Sequence, residues 1–215
     1  MPDTMTKRVA AFLLLMLLAG CGTYEKYGYG RVADSMLAED VETVVELPAN
    51  APSISQRFRP EAISAKPEHR GFDIYVPSGT PVLAAADGRV SRSGVSMLWG
   101  RQILVDHAVT AAGHRIQTRY YHLAERLVEV GERVSRGQLL GYSGQSGMTG
   151  VYPHLHFEVH RLNAEEPPVA VFYLDPQVYW VAGPGKVTCF DRGVEWPVQP
   201  LGLTYPVPCR DIDWQ

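Results

Sequence analysis

Seven residues, His154-Leu155-His156-Phe157-Glu158-Val159-His160, alternate polar and apolar without a break. On a β-strand successive side chains point to opposite faces. Leu155, Phe157 and Val159 therefore form one apolar face, and His154, His156, Glu158 and His160 share the other. The surrounding text has the same grain. Short β-type runs occur at Pro81 to Ala85, Gln102 to His107, Arg115 to Leu123 and His154 to Leu162. Turn signals interrupt them at Asp87-Gly88, Gly113, Gly131, Gly137, Gly144 and Gly147, and no long stretch repeats with a period of 3.6. Many short strands at this spacing predict an all-β fold, a short-stranded antiparallel sandwich or barrel with few or no long helices.

A polar face on one strand is satisfied by solvent as readily as by a ligand. Here, however, other ligand-type residues lie upstream in β context. The first group is His69-Arg70-Gly71-Phe72-Asp73. On a straight strand His69 and Asp73 would stand roughly 13 Å apart at about 3.3 Å per residue. Ligands of one zinc ion must instead converge on a metal only about 2.0–2.2 Å away. Gly71 between them permits the bend or bulge that convergence requires. The second group is Tyr120-Tyr121-His122-Leu123, where alternation predicts Tyr120 and His122 on one face and Tyr121 and Leu123 on the other. His107 follows the apolar run Ile103-Leu104-Val105 and reads as structural, while His114 beside Gly113 reads as a turn residue.

Taken in order, His69…Asp73, Tyr120…His122 and His154…His156 resemble the H-x-x-x-D, Y-x-H and H-x-H motifs of the lysostaphin/LytM-type peptidoglycan endopeptidases. The text between them is similar too: Gly79-Thr80-Pro81-Val82, Asp87-Gly88-Arg89-Val90, the stretch Gly131 to Gly141, and His154-Leu155-His156-Phe157-Glu158. The resemblance implies a duplicated hybrid motif in the β fold and one Zn2+ per chain. It implies His69, Asp73 and His156 as the metal ligands, with His122 and His154 as catalytic histidines that do not bind the metal. Three protein ligands would leave a fourth position open for water or substrate, as catalytic zinc sites require. The implied substrate is the stem peptides or cross-bridges of peptidoglycan. One segment departs from the family pattern: Gln145-Ser146-Gly147-Met148-Thr149-Gly150-Val151-Tyr152 replaces a small-residue loop and brings Tyr152 beside the site. An alternative within the same resemblance is an inactive regulator of a separate cell-wall amidase, against which stands the presence of all five His and Asp positions. A lipoyl- or biotinyl-type carrier, suggested by Gly131 to Gln138, would need a hairpin lysine, and none occurs between Lys66 and Lys186.

The N-terminus predicts export. Lys7 and Arg8 precede the apolar run Ala10 to Leu18, which falls short of the roughly 20 residues a spanning helix needs and has the form of a signal-peptide core. Leu18-Ala19-Gly20-Cys21 resembles a bacterial lipobox, implying cleavage before Cys21 and a lipid anchor on it. Gly22 rather than Asp after the cysteine resembles outer-membrane sorting in an organism with two membranes. Residues 1–20 are thus expected to be a signal, 21–56 a Pro- and Ser-rich tether, 57–181 the catalytic domain and 182–215 a Pro/Gly-rich tail. In an oxidising compartment the two remaining cysteines, Cys189 and Cys209, are expected to pair. With 20 Lys and Arg against 23 Asp and Glu, for a net charge of -3, no broad basic surface points to nucleic acid.

Overall fold

The expected strands form and pair antiparallel. A computed structural model describes residues 45–60, 67–109, 115–162, 171–197 and 201–215. The signal segment, the lipobox with Cys21, most of the expected tether and His114 lie outside the described residues. In chain order the strands are β1 (Ile54–Gln56), β2 (Phe72–Ile74), β3 (Pro81–Leu83), β4 (Gly88–Ser96), β5 (Gly100–Val109) and β6 (Arg115–Leu123). They continue with β7 (Glu125–Arg126), β8 (Arg133–Val134), β9 (Leu139–Tyr142), β10 (Leu155–Leu162) and β11 (Val171–Leu174). An eight-stranded sheet runs β1-β2-β10-β6-β5-β4-β8, with β11 also paired to β10, and a three-stranded sheet runs β3-β9-β7. Among the described residues the one helical element is a 3-10 turn, Pro176–Tyr179, capped by the Asp175 side chain, which accepts from the Gln177 N–H.

Alternation sorts the core as expected. Leu155, Phe157 and Val159 on β10 are fully buried, and so are Phe72 and Ile74 on β2, Ile103 on β5 and Tyr120 on β6. Cross-strand register places Phe72, Phe157 and Tyr120 in one row across three strands. Such rows of large side chains on one face are where a sheet gains most of its stabilisation.

Two domain boundaries move. Residues 45–56 belong to the folded body rather than to a tether. Ile54 and Gln56 pair with Ile74 and Asp73, and Ala51 and Ile54 are buried in the core. The C-terminal segment is likewise not an appended tail. Leu203, Tyr205 and Val207 are fully buried, the Tyr205 hydroxyl donates to the Pro52 carbonyl at 2.8 Å, and the Leu83 N–H donates to the Pro206 carbonyl at 2.9 Å. Prolines in both segments argue against regular elements, but they leave carbonyl acceptors and apolar rings free to pack. Cys189 and Cys209 form a disulfide with Cα atoms 5.9 Å apart. In the chain-entropy model a loop of this length contributes roughly 3 kcal/mol.

Candidate metal centre and its flanking histidines

Register builds the site. Asp73 on β2 lies opposite His156 on β10, and His156 lies opposite Tyr121 on β6, so all three side chains project from the face opposite the Phe72-Phe157-Tyr120 row. His69 arrives from just before β2, pinned by a pair of backbone hydrogen bonds with Arg59 at 2.8 and 2.9 Å. Gly71 makes this approach feasible. A Cβ there would stand 2.2 Å from the Phe157 carbonyl oxygen, so the chain crosses β10 at a distance no side chain allows. The contour that brings residues 69 and 73 together is a close crossing against β10.

His69, Asp73 and His156 each offer one ligand-type atom, and these atoms all lie within 4.8 Å of one another. Each ring has one nitrogen on an outer acceptor and the other turned to Asp73, carbonyl and carboxylate oxygens being acceptors only. His69 Nδ1–H donates to the Arg57 carbonyl at 2.9 Å, leaving Nε2 to face Asp73 Oδ1 at 3.1 Å. His156 uses its other nitrogen: Nε2–H donates to Glu158 Oε1 at 3.1 Å, and Nδ1 faces Asp73 Oδ1 at 2.6 Å. An outer carboxylate that fixes ring orientation in this way is the usual support of a metal-binding histidine. The donor set therefore fits a metal of the N/O-ligated, three-ligand type.

His122 and His154 stand beside this trio with ring centroids 4.8 Å apart. His122 Nδ1–H donates to the Ser146 carbonyl at 2.8 Å and His154 Nδ1–H to the Tyr152 carbonyl at 2.7 Å. Each thus turns Nε2 away from its anchoring carbonyl. His154 Nε2 stands 3.6 Å from Asp73 Oδ1. Burial is the main cause that drives the His122 pKa down to about 4, against the Ser146 carbonyl and with the charges of His154 and His156 adding to it. Burial lowers His154 as well, opposed by Asp73. Both rings are neutral near pH 7. For His156 burial also pushes downward, but hydrogen bonds to Asp73 and Glu158 prevail and raise its pKa to about 9 in the metal-free site. Asp73 shows the converse: burial pushes it up, and the bonds from His156 and His69 hold it well below the usual carboxylate range.

Simple alternation fails at His122. Arg101 pairs with Leu123 and Ile103 with Tyr120, so Tyr121 and His122 together face the single residue Gln102, which is a β-bulge. His122 adopts φ 60° there, a left-handed conformation uncommon outside glycine, Asn, Asp and His. The expected sharing of a face by Tyr120 and His122 is therefore corrected. Tyr120 turns to the core, where its hydroxyl accepts from the Ala85 N–H at 2.9 Å and burial raises its pKa to about 12. Tyr121 and His122 both reach the site side. His107 is structural as expected, its two ring nitrogens bonded to the Asp87 carbonyl and Thr118 Oγ1.

Three contributors carry no motif. Trp99, at the β4–β5 turn, stacks on His156 and on Tyr121 with centroids 5.5 and 4.9 Å away. Gln56 donates to Asp73 Oδ2 at 2.9 Å, and the Tyr152 hydroxyl approaches the same oxygen at 3.3 Å. Only Tyr152 has a sequence signal, as the bulky member of the departing loop.

His69, Asp73 and His156 thus form a half-buried to buried donor set able to hold a metal ion, with two further histidines beside it. Residues 67–168 match the model of peptidase family M23, and this part of the chain is a domain of that family. Peptidoglycan DD-endopeptidase ShyC of Vibrio cholerae is 39% identical over 121 residues, covering 56% of this chain and 26% of the relative. ShyA of the same organism, also a peptidoglycan DD-endopeptidase, is 41% identical over 92 residues, covering 42% and 20%. The chain thus spans about a quarter or a fifth of the length of these relatives. Among solved structures, the catalytic domain of the antimicrobial peptidase lysostaphin from Staphylococcus simulans is 30% identical, with 56% of this chain and 85% of that chain covered and a TM-score of 0.44.

Proposed function

We propose that this chain is a zinc-dependent endopeptidase that hydrolyses peptide cross-links of bacterial peptidoglycan. The observation that carries the reading is the convergence of His69 Nε2, Asp73 Oδ1 and His156 Nδ1, each oriented by a partner on its other side. The names of the M23-domain relatives ShyC and ShyA support the substrate class. When bound by these three residues, zinc would lower the pKa of a coordinated water and polarise the scissile carbonyl. His122 and His154 supply the proton chemistry. Being neutral near pH 7, either Nε2 can accept a proton from the attacking water, and the ring that becomes protonated can stabilise the developing oxyanion or protonate the leaving amine. Their backbone anchors at Ser146 and Tyr152 hold them ready, so little reorganisation accompanies the transfer.

The N-terminal pattern supports an exported, lipid-anchored protein held through Cys21, facing the periplasm from the outer membrane if the cell has two membranes. Purified sacculi digested with the zinc-loaded protein should release fragments in which cross-linked stem peptides have become single stems, as read by mass spectrometry. Intact cross-links after prolonged digestion would sink the proposed activity. Cys21→Ser should move the protein from the membrane to the soluble fraction of the envelope. A variant that stays with the membrane would remove the anchor.

A further inference from the structure

Asp73 is held from behind. Its Oδ1 faces the three histidines, at 2.6 Å from His156 Nδ1, 3.1 Å from His69 Nε2 and 3.6 Å from His154 Nε2. Its Oδ2 points the other way and takes two donors, Gln56 Nε2 at 2.9 Å and the Tyr152 hydroxyl at 3.3 Å. Gln56 is itself oriented. Arg59 Nη2 donates to its Oε1 at 3.3 Å, which settles the amide with the NH2 toward Asp73. Cross-strand register then sets Gln56 directly opposite Asp73. The neighbouring Ser55 hydroxyl donates to the Asp73 backbone carbonyl at 3.1 Å, so β1 grips both ends of that residue. Tyr152 performs two tasks at once: its hydroxyl meets Asp73, and its own carbonyl anchors His154. Its ring lies against that of His154 with centroids 4.5 Å apart.

A free carboxylate can ligate through one oxygen or two. Using both here would fill the position that a catalytic centre needs for water. We propose that Gln56 and Tyr152 are positioning residues that commit Asp73 to a single ligating oxygen and so keep the coordination sphere open. This rests on the metal reading given above. It also supplies a role for the Tyr-bearing loop that replaces the family's small-residue segment, and for a glutamine in a stretch whose composition suggests only a tether.

The test compares the parent protein with Tyr152→Phe, which keeps the ring and removes the hydroxyl, with Gln56→Leu, and with the double variant. Cobalt(II) is the probe, because its visible absorption weakens as coordination number rises. Zinc affinity is measured alongside by chelator competition. The double variant is expected to lose about 10–100-fold in zinc affinity, the usual effect of removing outer-shell partners. Its cobalt spectrum is expected to shift toward higher coordination, with each single variant in between. Unchanged cobalt spectra and zinc affinity in folded variants overturn the proposal. If the double variant does not fold, Tyr152→Phe alone decides on the cobalt spectrum, shifted or unshifted. A parent protein that binds neither metal would overturn the underlying site, whereas a metal-binding parent with indifferent variants overturns this inference alone.

Discussion

The polar face of β10 has two halves that read alike and behave differently. In the first, His154 and His156 turn one nitrogen each to a fixed acceptor and leave the other facing Asp73. In the second, Glu158 holds His160 by one ring nitrogen, and His160 Nδ1 is buried with no hydrogen-bond partner among the described residues. Glu158 Oε1 accepts from His156 and Oε2 accepts from His160 Nε2 at 2.6 Å. The neighbours decide the difference. His156 has Asp73 and Tyr121 as its cross-strand partners, while His160 has Tyr173 and Gln117. Both halves are buried, under Trp99 and Tyr152 at one end and Tyr173 at the other. Residue type alone therefore does not separate a candidate centre from its scaffold; what the adjacent strands bring opposite each histidine does, Asp73 for His156 and no carboxylate for His160.

The largest effects should come from the first half. His69→Ala, Asp73→Ala and His156→Ala should each abolish stoichiometric zinc together with cross-link cleavage, measured by metal analysis beside a sacculus assay. Full activity in Asp73→Ala would break the distinction between the halves at once. Next come His122→Ala and His154→Ala, which should keep zinc while turnover falls by about 10²–10⁴. Loss of zinc in either would move that residue into the ligand set.

The site's membership was more legible than its orientation. His69, Asp73, His122, His154 and His156 are spaced along recognisable β runs, and all five gather in one place. Gly71 announces an irregularity, which proves to be a close crossing over the Phe157 carbonyl. The bulge at His122 carries no such marker. Its φ of 60° is set by the register that β5 imposes rather than by a glycine at that position. Gln56 and Tyr205 were hidden for another reason. Proline-rich text reads as linker when judged by elements, yet such segments still bury rings and carbonyl contacts, as the Tyr205 hydroxyl on Pro52 demonstrates.

Acidity offers a sharper probe of the first half. The His156 pKa is raised to about 9, so at neutral pH its ring holds a proton that zinc, on the proposed reading, would have to displace. A raised pKa means the proton competes across the whole range below it. Zinc affinity should therefore climb about tenfold per pH unit from neutrality toward pH 9, with release of a proton on binding. Titration calorimetry in buffers of different ionisation enthalpy measures that proton directly. An affinity flat between pH 7 and 8.5 would show that His156 meets the metal already deprotonated.

The smallest effects belong to the second half and should be graded by distance from the proposed metal ligands. Glu158 is the link: burial pushes its pKa up, yet hydrogen bonds from His156 and His160 prevail and bring it down to about 2. Glu158→Gln keeps an oxygen for one imidazole N–H but must turn its NH2 toward the other. It should therefore weaken zinc by about 10–100-fold, the range for an outer-shell partner of a ligand. His160→Phe is a milder change. The ring keeps its edge contact with Tyr173, and Glu158 Oε1 still accepts from His156, so the metal-facing nitrogen stays where it is. What is lost is one buried charge-assisted hydrogen bond, worth about 1.5–3 kcal/mol of stability, with zinc affinity shifting by less than the Glu158 substitution causes. Melting of the metal-free variants and zinc competition on the folded proteins separate the two quantities. If His160→Phe lowered zinc affinity as far as Glu158→Gln, the division of β10 would have to be redrawn, with the centre extending through Glu158 to the far end of the strand.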